Sequence, residues 1–425
     1  MKRFVLSLLI TASVLILPHP LDLFMREQPN YEILLATETR FGSLYVLDVE
    51  GMEWRGMTWR HRVGIVVPKS VDVEDVALVI LGGGSRVSSG NLLGKILKDV
   101  NDVAWVAPMV RVPVAVVGDI PNQPIWGLKE DALIAETFKM FLEDPDPTLP
   151  LLVPMTFGAM RALDAIQDFL GRKGLNVENF MVGGASKRGW TTYLTAVFDP
   201  RVFAIFPMVY DNLNIKRQME HQLQVYGTFS EKLSDYVKRG LMERMESGTA
   251  EKLLEIVDPY NFRLRLSLPK ILVLAASDEY WTVDSANVYL DDLPGETWIF
   301  YMPNVGHHFD RNRLVLIQLA RTLSAFLHLY PKGKFPNPEF SYEDERVCIQ
   351  KENGVESLEL WYATSDDMDF RDERWSVIRG EISGDRMCAD IPKTSENLAY
   401  FPRVLYEIDG FTFYLSGRMK LECKR

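Results

Sequence analysis

One serine of this sequence lies where a strand is expected to turn into a helix. Ser186 follows the apolar run 180–182, typical of a buried parallel strand, and precedes a segment whose apolar residues recur at helical spacing. Such a turn lifts a serine hydroxyl above the carboxyl edge of a sheet, beside backbone N–H groups that can hold developing negative charge. We therefore interpret residues 184–189 as a nucleophile elbow. The alternative is a simple helix N-cap, because the pattern G-x-S-x-G expects its second glycine where this chain has Arg188, followed by Gly189.

Two later loops carry the base and the acid that a serine nucleophile needs. A serine hydroxyl attacks efficiently only when a base removes its proton and an acid holds that base in place. Asp278 lies three residues beyond the buried run 271–275, and His307 follows the run 298–301 and a short loop. Because the carboxyl ends of parallel strands meet at one edge, Ser186, Asp278 and His307 are predicted to converge as a catalytic triad.

Each of the two later positions has a rival nearby. Asp284 is close enough in sequence to serve as the acid, but we expect it to cap the helix that begins at the next residue. His308 adjoins His307, and one of the two is expected to face inward while the other is solvated. We prefer His307 because it directly follows Gly306.

A glycine triplet follows the buried run 76–81. Three glycines can turn their N–H groups toward one point, and a hydrolase keeps half of its oxyanion hole at this place in the strand order. We predict a hole made by the backbone N–H of Lys187 with that of Gly83 or Gly84. Each such donor contributes about 3 kcal/mol to the transition state. A flexible turn is the alternative interpretation.

Three side chains are weaker candidates for the substrate pocket. Tyr280 and Trp281 follow the acid and would line the acyl or leaving-group side, although packing in the core would equally explain them. His221 lies in the segment expected to cover the site. It would contact substrate there or lie on a solvated helix face.

Strand and helix patterns alternate through most of the chain. This predicts an α/β fold with a mostly parallel sheet, helices on both faces, and an antiparallel edge formed by residues 43–50 and 58–68. From about 211 to 268 the pattern is helical and rich in charge, which predicts a helical cap over the carboxyl edge. Short alternating segments near the C-terminus predict a small β-sandwich. The predicted division is a leader 1–20, a core 21–330, a linker 331–338 and a β module 339–425.

Composition excludes several classes of function. The net charge of −11 disfavours nucleic acid or an anionic membrane surface as a partner, since both select a basic protein surface. The hydrophobic content of 47 % is enough for a substantial core. No metal-ligand motif is evident, so neither a metal nor a cofactor is expected.

The N-terminus has the plan of a secretory signal. Two basic residues precede the apolar run 4–17, which is too short to span a bilayer comfortably. We predict a cleaved signal peptide and a secreted or periplasmic protein, with an uncleaved N-terminal anchor as the alternative and no other membrane contact. Export would allow one pair among Cys348, Cys388 and Cys423 to oxidise, and the spacing does not say which.

Several longer motifs are shared with a known family. They are Pro121-Asn122-Gln123-Pro124, Glu130-Asp131-Ala132-Leu133-Ile134-Ala135, Gly184-Ala185-Ser186-Lys187-Arg188-Gly189-Trp190-Thr191-Thr192, Asp199-Pro200-Arg201-Val202, Pro207-Met208-Val209, Val257-Asp258-Pro259-Tyr260, Tyr301-Met302-Pro303-Asn304, Leu360-Trp361-Tyr362-Ala363 and Asp369-Phe370-Arg371. On these residues the chain resembles the PhoPQ-activated pathogenicity-related family, also called autocrine proliferation repressor-like proteins. The resemblance implies an exported α/β-hydrolase-type core followed by an immunoglobulin-like β module. It also implies that the delayed Gly189 is a family trait and that Ser186, Asp278 and His307 occupy the triad positions.

The sequence therefore predicts an exported serine hydrolase that cleaves an ester or amide bond in a small-molecule or peptide substrate. The resemblance names no substrate. The alternative is a catalytically silent hydrolase fold that binds or signals, with the cap and the C-terminal module supplying surfaces for a protein partner.

Overall fold

The computed structural model describes residues 19–23, 28–86, 92–343, 345–352 and 354–424. The leader predicted at residues 1–20 lies almost entirely outside the described residues. The described residues form eighteen strands and nine α-helices. The strands are β1 (Tyr31–Thr39), β2 (Gly42–Trp54), β3 (Met57–Pro68), β4 (Val76–Leu81), β5 (Val114–Val117), β6 (Asn179–Ala185), β7 (Val202–Met208), β8 (Lys270–Ala275), β9 (Thr297–Met302), β10 (Phe340–Glu343), β11 (Arg346–Gln350), β12 (Val355–Ser365), β13 (Ser376–Arg379), β14 (Glu381–Ser383), β15 (Arg386–Asp390), β16 (Asn397–Ile408), β17 (Phe411–Ser416) and β18 (Lys420–Glu422). The α-helices are α1 (Leu92–Val103), α2 (Ala107–Val110), α3 (Glu130–Glu143), α4 (Leu152–Arg172), α5 (Lys187–Phe198), α6 (Ile215–Tyr226), α7 (Ser234–Val237), α8 (Gly248–Val257) and α9 (Arg313–Leu329).

A fourteen-stranded sheet runs through the protein in the order β1-β2-β3-β5-β4-β6-β7-β8-β9-β17-β16-β12-β13, and β18 pairs with β16. The six strands from β5 to β9 in this order are parallel neighbours, and β1, β2 and β3 form an antiparallel edge. The structure thus confirms the predicted α/β class, a mixed sheet with a parallel core.

Residues of the central strands alternate between two hydrophobic cores because successive side chains of a strand point to opposite faces. Along β4, Ala77 and Val79 enter one core, and Leu78 enters the other. The first core is completed by α4 and α5, and the second by α1 and α9. Both faces of the parallel strands are therefore covered, which explains their continuous apolar runs.

The segment between β7 and β8 is a helical insertion. It contains α6, α7 and α8, and it leaves the sheet at the carboxyl end of β7. The insertion therefore begins at the edge where the predicted catalytic loops emerge.

The C-terminal strands belong to two sheets. Strands β10, β11, β15 and β14 form a separate four-stranded sheet, whereas β12, β13, β16, β17 and β18 extend the large sheet. The extension joins the core where β17 pairs with β9, with Ser416 opposite Ile299. The segment predicted as a linker is also packed, because Phe335 is buried with its ring centroid 5.2 Å from that of Trp298. The immunoglobulin-like type of this region remains a prediction.

One disulfide lies in the four-stranded sheet. Cys348 and Cys388 are paired across β11 and β15, and Cys423 is a free, exposed thiol. This settles which pair is joined, a question that the spacing of the cysteines left open.

One helix among the described residues, Arg313–Lys332, has the length and apolar composition of a membrane span. No segment of that kind was expected after the leader. In this structure 61 % of its most apolar window is buried. Its helix α9 packs against β17 and α2, so its apolar character is accounted for by the protein core.

Candidate active site

Ser186 lies in a sharp turn between β6 and α5. Its backbone has φ 58° and ψ −126°, a conformation that a residue with a side chain rarely adopts. Close contacts explain the two glycines around it. A Cβ at Gly184 would lie 2.7 Å from the carbonyl oxygen of Arg188, and one at Gly189 would lie 2.8 Å from Cβ of Tyr210. The Ser186 side chain makes no capping hydrogen bond, so the simple N-cap interpretation does not hold.

Arg188 occupies the position at which the pattern G-x-S-x-G expects its second glycine, and the turn accommodates it. Its side chain is buried and points away from the turn toward the N-terminus of α3, where its guanidinium donates to both carboxylate oxygens of Glu130 at 2.6 and 2.9 Å. It also donates to the carbonyl oxygen of Ile120 at 2.6 Å. Burial alone would raise the pKa of Glu130, but the hydrogen bonds and charge of Arg188 outweigh it and lower the pKa to about 2. The arginine thus ties the elbow to a neighbouring helix.

The glycine loop after β4 lies beside the elbow. Leu81 at the end of β4 pairs with Gly184 of β6, so both loops leave the same edge of the sheet. A Cβ at Gly83 would lie 2.4 Å from Nη2 of Arg188, and one at Gly84 would lie 2.1 Å from Oδ1 of Asp119. Close approach of these two side chains is therefore a reason for both glycines, in addition to the predicted oxyanion role.

Hydrogen bonds hold the carbonyl groups of the glycine loop. The carbonyl oxygen of Gly84 accepts from Nε2 of Gln123 at 2.8 Å, and that of Gly83 accepts from Nζ of Lys95 at 3.2 Å. The loop is therefore anchored and is not a free turn. Lys187 is the first residue of α5, and the N–H groups of a first helical turn have no partner within the helix.

Asp278 and His307 are hydrogen-bonded to each other. Nδ1 of His307 lies 3.0 Å from both carboxylate oxygens of Asp278, and both side chains are buried. This contact favours the imidazole tautomer protonated at Nδ1, which leaves Nε2 as the proton acceptor. The backbone N–H of His307 donates to Glu279 at 2.8 Å, and the ring of Tyr280 lies 4.2 Å from the imidazole, centroid to centroid. The histidine is thus held on several sides.

The two rival residues are placed differently. His308 is exposed, whereas His307 is buried. The expectation that Asp284 caps a helix is wrong, because its side chain makes no capping hydrogen bond. It lies 2.8 Å from Nε2 of His221, and this hydrogen bond raises the pKa of His221. His221 is therefore engaged with Asp284, and its predicted contact with substrate finds no support in this geometry.

The strand order brings the predicted triad positions to one edge. Strands β6, β7, β8 and β9 are consecutive neighbours, with Ser186 after β6, Asp278 after β8 and His307 after β9. A cleft opens at this edge. Ser186, Lys187, Tyr280 and Trp281 all line it.

Two structural contacts at the site were not predicted from the sequence. In the sequence Glu130 stood out only as part of a shared motif, and its pairing with Arg188 was not predicted. The Asn304 side chain exchanges two hydrogen bonds of 2.9 Å with the backbone N–H and carbonyl of Trp375. The signal available in the sequence was the residue type, because asparagine tolerates the left-handed conformation that Asn304 adopts here, with φ 54°.

Comparison with known proteins identifies the family. A model of the family described as PhoPQ-activated pathogenicity-related protein matches residues 22–371. The chain belongs to this family. The resemblance stated from the motifs is thereby confirmed. This chain is also similar to autocrine proliferation repressor protein A of Dictyostelium discoideum, with 30% identity over 360 residues that cover 81% of this chain and 71% of the relative.

Two solved structures are similar to this chain in fold. An acetyl xylan esterase from Paenibacillus sp. R4 is similar with a TM-score of 0.50 and 14% identity, over 72% of this chain and 90% of that one. Acetyl xylan esterase 1 from Thermoanaerobacterium sp. JW/SL YS485 is similar with a TM-score of 0.50 and 17% identity, over 72% and 91% of the two chains. The shared feature is the α/β-hydrolase fold.

Proposed function

We propose that this protein is an exported serine hydrolase that cleaves an ester or amide bond with Ser186, His307 and Asp278. The observation that carries the proposal is the hydrogen bond of His307 Nδ1 to both oxygens of Asp278, at 3.0 Å each. This pair follows β8 and β9, and β6, which is separated from β8 by β7 alone, leads into a serine in a positive-φ turn that lines a cleft. A buried carboxylate, a buried imidazole and a half-buried serine at one edge are the parts of a proton-relay nucleophile.

Each residue has a definite role in the proposed reaction. The Ser186 hydroxyl attacks the substrate carbonyl while Nε2 of His307 takes its proton, and Asp278 stabilises the imidazolium that forms. The tetrahedral oxyanion is held by the N–H of Lys187 with that of Gly83 or Gly84. His307 then gives its proton to the leaving group, and water completes the cycle by the same route.

The names of the two solved structures favour an ester as the bond cleaved. Both are called acetyl xylan esterases. Their low identity to this chain leaves the substrate open, because the pocket around a shared nucleophile sets specificity.

Covalent labelling tests the nucleophile. A fluorophosphonate probe should label the purified protein, and Ser186→Ala should abolish the labelling. Labelling that persists in Ser186→Ala would remove this serine from the proposal.

Two matched pairs of variants test the other assignments. His307→Ala and Asp278→Asn should each slow labelling strongly, by a factor of about 10³ or more. The neighbouring variants His308→Ala and Asp284→Asn should label at nearly the normal rate. The reverse pattern in either pair would transfer the role to the rival residue.

Export is part of the proposal and is supported by the leader sequence. The mature protein from a secreted or periplasmic fraction should begin beyond the apolar run 4–17 when its N-terminus is sequenced. A full-length chain recovered only with membranes would favour an uncleaved anchor.

The relative from Dictyostelium favours a second candidate function. Its name describes a repressor of proliferation, which suggests a hydrolase fold used for binding or signalling. That function would be favoured by absence of turnover across a broad panel of esters and peptides, together with tight and specific retention of one protein partner. Turnover lost in Ser186→Ala would favour the hydrolase.

A further inference from the structure

The cleft at Ser186 extends beneath the helical cap. The cap contributes apolar side chains to its lining, among them Ile215, Met219, Leu233, Met242, Met245 and Leu253. The core contributes Phe138 and Leu142 of α3 and Trp190 of α5. This lining is far larger than an acetyl group could contact.

Several polar side chains also line the cleft, and two of them are paired with each other. Nζ of Lys187, the residue after Ser186, lies 3.1 Å from Asp131, and Asp131 accepts a hydrogen bond from the hydroxyl of Tyr236 at 3.2 Å. Ser186 marks the part of the cleft where the reacting carbonyl must lie. The cap and core residues named above supply hydrocarbon surface beyond it.

We propose that the cleft holds the hydrocarbon chain of an acyl group, so that the enzyme prefers medium- and long-chain acyl substrates over acetyl ones. This inference rests on the proposed serine hydrolase function. The occupant must place one carbonyl at Ser186 and apolar surface along the rest of the cleft. A sugar or a polar peptide in this position would lose hydrogen bonds to water without replacement, whereas an alkyl chain gains by burial.

The cap side of the lining suits a flexible chain. Met219, Met242 and Met245 are unbranched side chains with several rotatable bonds, which adapt to irregular apolar ligands. Met242 and Met245 are only partly buried, so substitutions at these two positions should disturb the core less than substitutions of fully buried residues.

A chain-length series of p-nitrophenyl esters, from acetate to dodecanoate, tests the preference directly. Each methylene that becomes buried should raise kcat/KM by about fourfold. Octanoate should therefore exceed acetate by at least about a hundredfold, even if only four of the added methylenes are fully buried. A flat series, or one that falls from acetate, would overturn the proposal.

Filling the cleft gives a structural control. Met242→Trp and Met245→Trp should move the optimum to shorter chains while labelling of Ser186 by a small fluorophosphonate continues. Glu243→Trp places the same ring on an exposed residue between them and should leave the chain-length profile unchanged. Thermal unfolding identifies which filled variant is folded, and an unchanged profile in a folded filled variant would contradict the assignment of the cleft.

Binding without turnover separates this inference from the proposed reaction. Decanoate titrated into Ser186→Ala by calorimetry should bind, and Met242→Trp added to that variant should weaken the binding at least tenfold. Normal fluorophosphonate labelling of the native protein, without decanoate binding or chain-length preference, would contradict the acyl site and leave the proposed hydrolase function standing. Decanoate binding with no labelling at Ser186 would support the cleft as a binding site for acyl chains and contradict the proposed hydrolase function.

Discussion

Asn304 connects the histidine loop to the C-terminal strands, and its replacement makes a specific prediction. Its amide donates to the carbonyl of Trp375 at 2.9 Å, and its side-chain oxygen accepts from the Trp375 N–H at 2.9 Å. Asn304 lies three residues before His307 in a turn with φ 54°. Loss of the side chain should therefore loosen the loop that carries the proposed base, although Asn304 takes no part in the chemistry.

Two contributions set the expected magnitude. Each of the two hydrogen bonds is worth about 1 kcal/mol. Alanine in a left-handed conformation costs about 1 kcal/mol more, a cost that glycine avoids. We expect Asn304→Ala to lower the free energy of unfolding by about 3 kcal/mol and Asn304→Gly by about 2 kcal/mol.

The assay combines thermal unfolding with the rate of fluorophosphonate labelling at Ser186. A displacement of His307 by about 1 Å would slow labelling by about 100-fold. Both variants should slow it, because both release the loop from Trp375, and Asn304→Asp, which keeps the acceptor, should be intermediate. Variants that are less stable but are labelled at the normal rate would refute the positioning role and leave Asn304 as a structural contact only.

Two further predictions concern charged groups near the site. Arg188→Ala should lower the free energy of unfolding by about 2 kcal/mol at pH 7, less than the loss of a fully buried pair because the Glu130 side chain is 40% exposed. Since the pKa of Glu130 is lowered to about 2, this stabilisation is present above pH 4.5 and should disappear as the pH falls toward 2. Thermal unfolding of the native protein and of Arg188→Ala at pH 7 and pH 3 measures the difference in stability. An equal difference at the two pH values would contradict the prediction. Burial raises the pKa of Asp211 to about 7, so its contribution to stability is present below pH 3.8 and is lost as the pH rises through 7. Asp211→Asn retains an acceptor for the hydroxyl of Tyr289. The melting temperature of this variant, relative to that of the native protein, should rise between pH 4.5 and pH 8.5. Melting temperatures that change in parallel with pH would show that Asp211 stays ionised in the fold.

The main strands and the place of the candidate site could be predicted because they depend on local patterns. The runs that became β6, β8 and β9 are apolar over their whole length, and the parallel arrangement that follows from them fixes one edge for their loops. Helices α3, α4 and α9 belong to the alternation of strand and helix patterns that the sequence shows, since their apolar periodicity is continuous. Helix α1 was missed, because it follows the glycine loop in a stretch that the pattern did not single out.

Contacts between distant residues could not be predicted in the same way. Arg188 and Glu130 are 58 residues apart, and nothing in the elbow motif indicates which carboxylate receives the arginine. Asp284 was assigned to a cap by its residue type, yet a histidine 63 residues away takes that carboxylate. In each case the side chain's partner is set by the tertiary fold, and the local sequence does not specify it.

The continuity of the large sheet makes the proline-rich boundary at 331–338 a poor place to divide this polypeptide. Strand β9, which leads into His307, has β17 as its outer neighbour, and the Tyr301 N–H donates to Oγ of Ser416 at 3.1 Å. A chain truncated at this boundary would leave β9 as an unprotected edge with free amide and carbonyl groups, ready to recruit another molecule. Such a fragment should self-associate, so the last ninety or so residues protect the solubility of the hydrolase core as well as its shape.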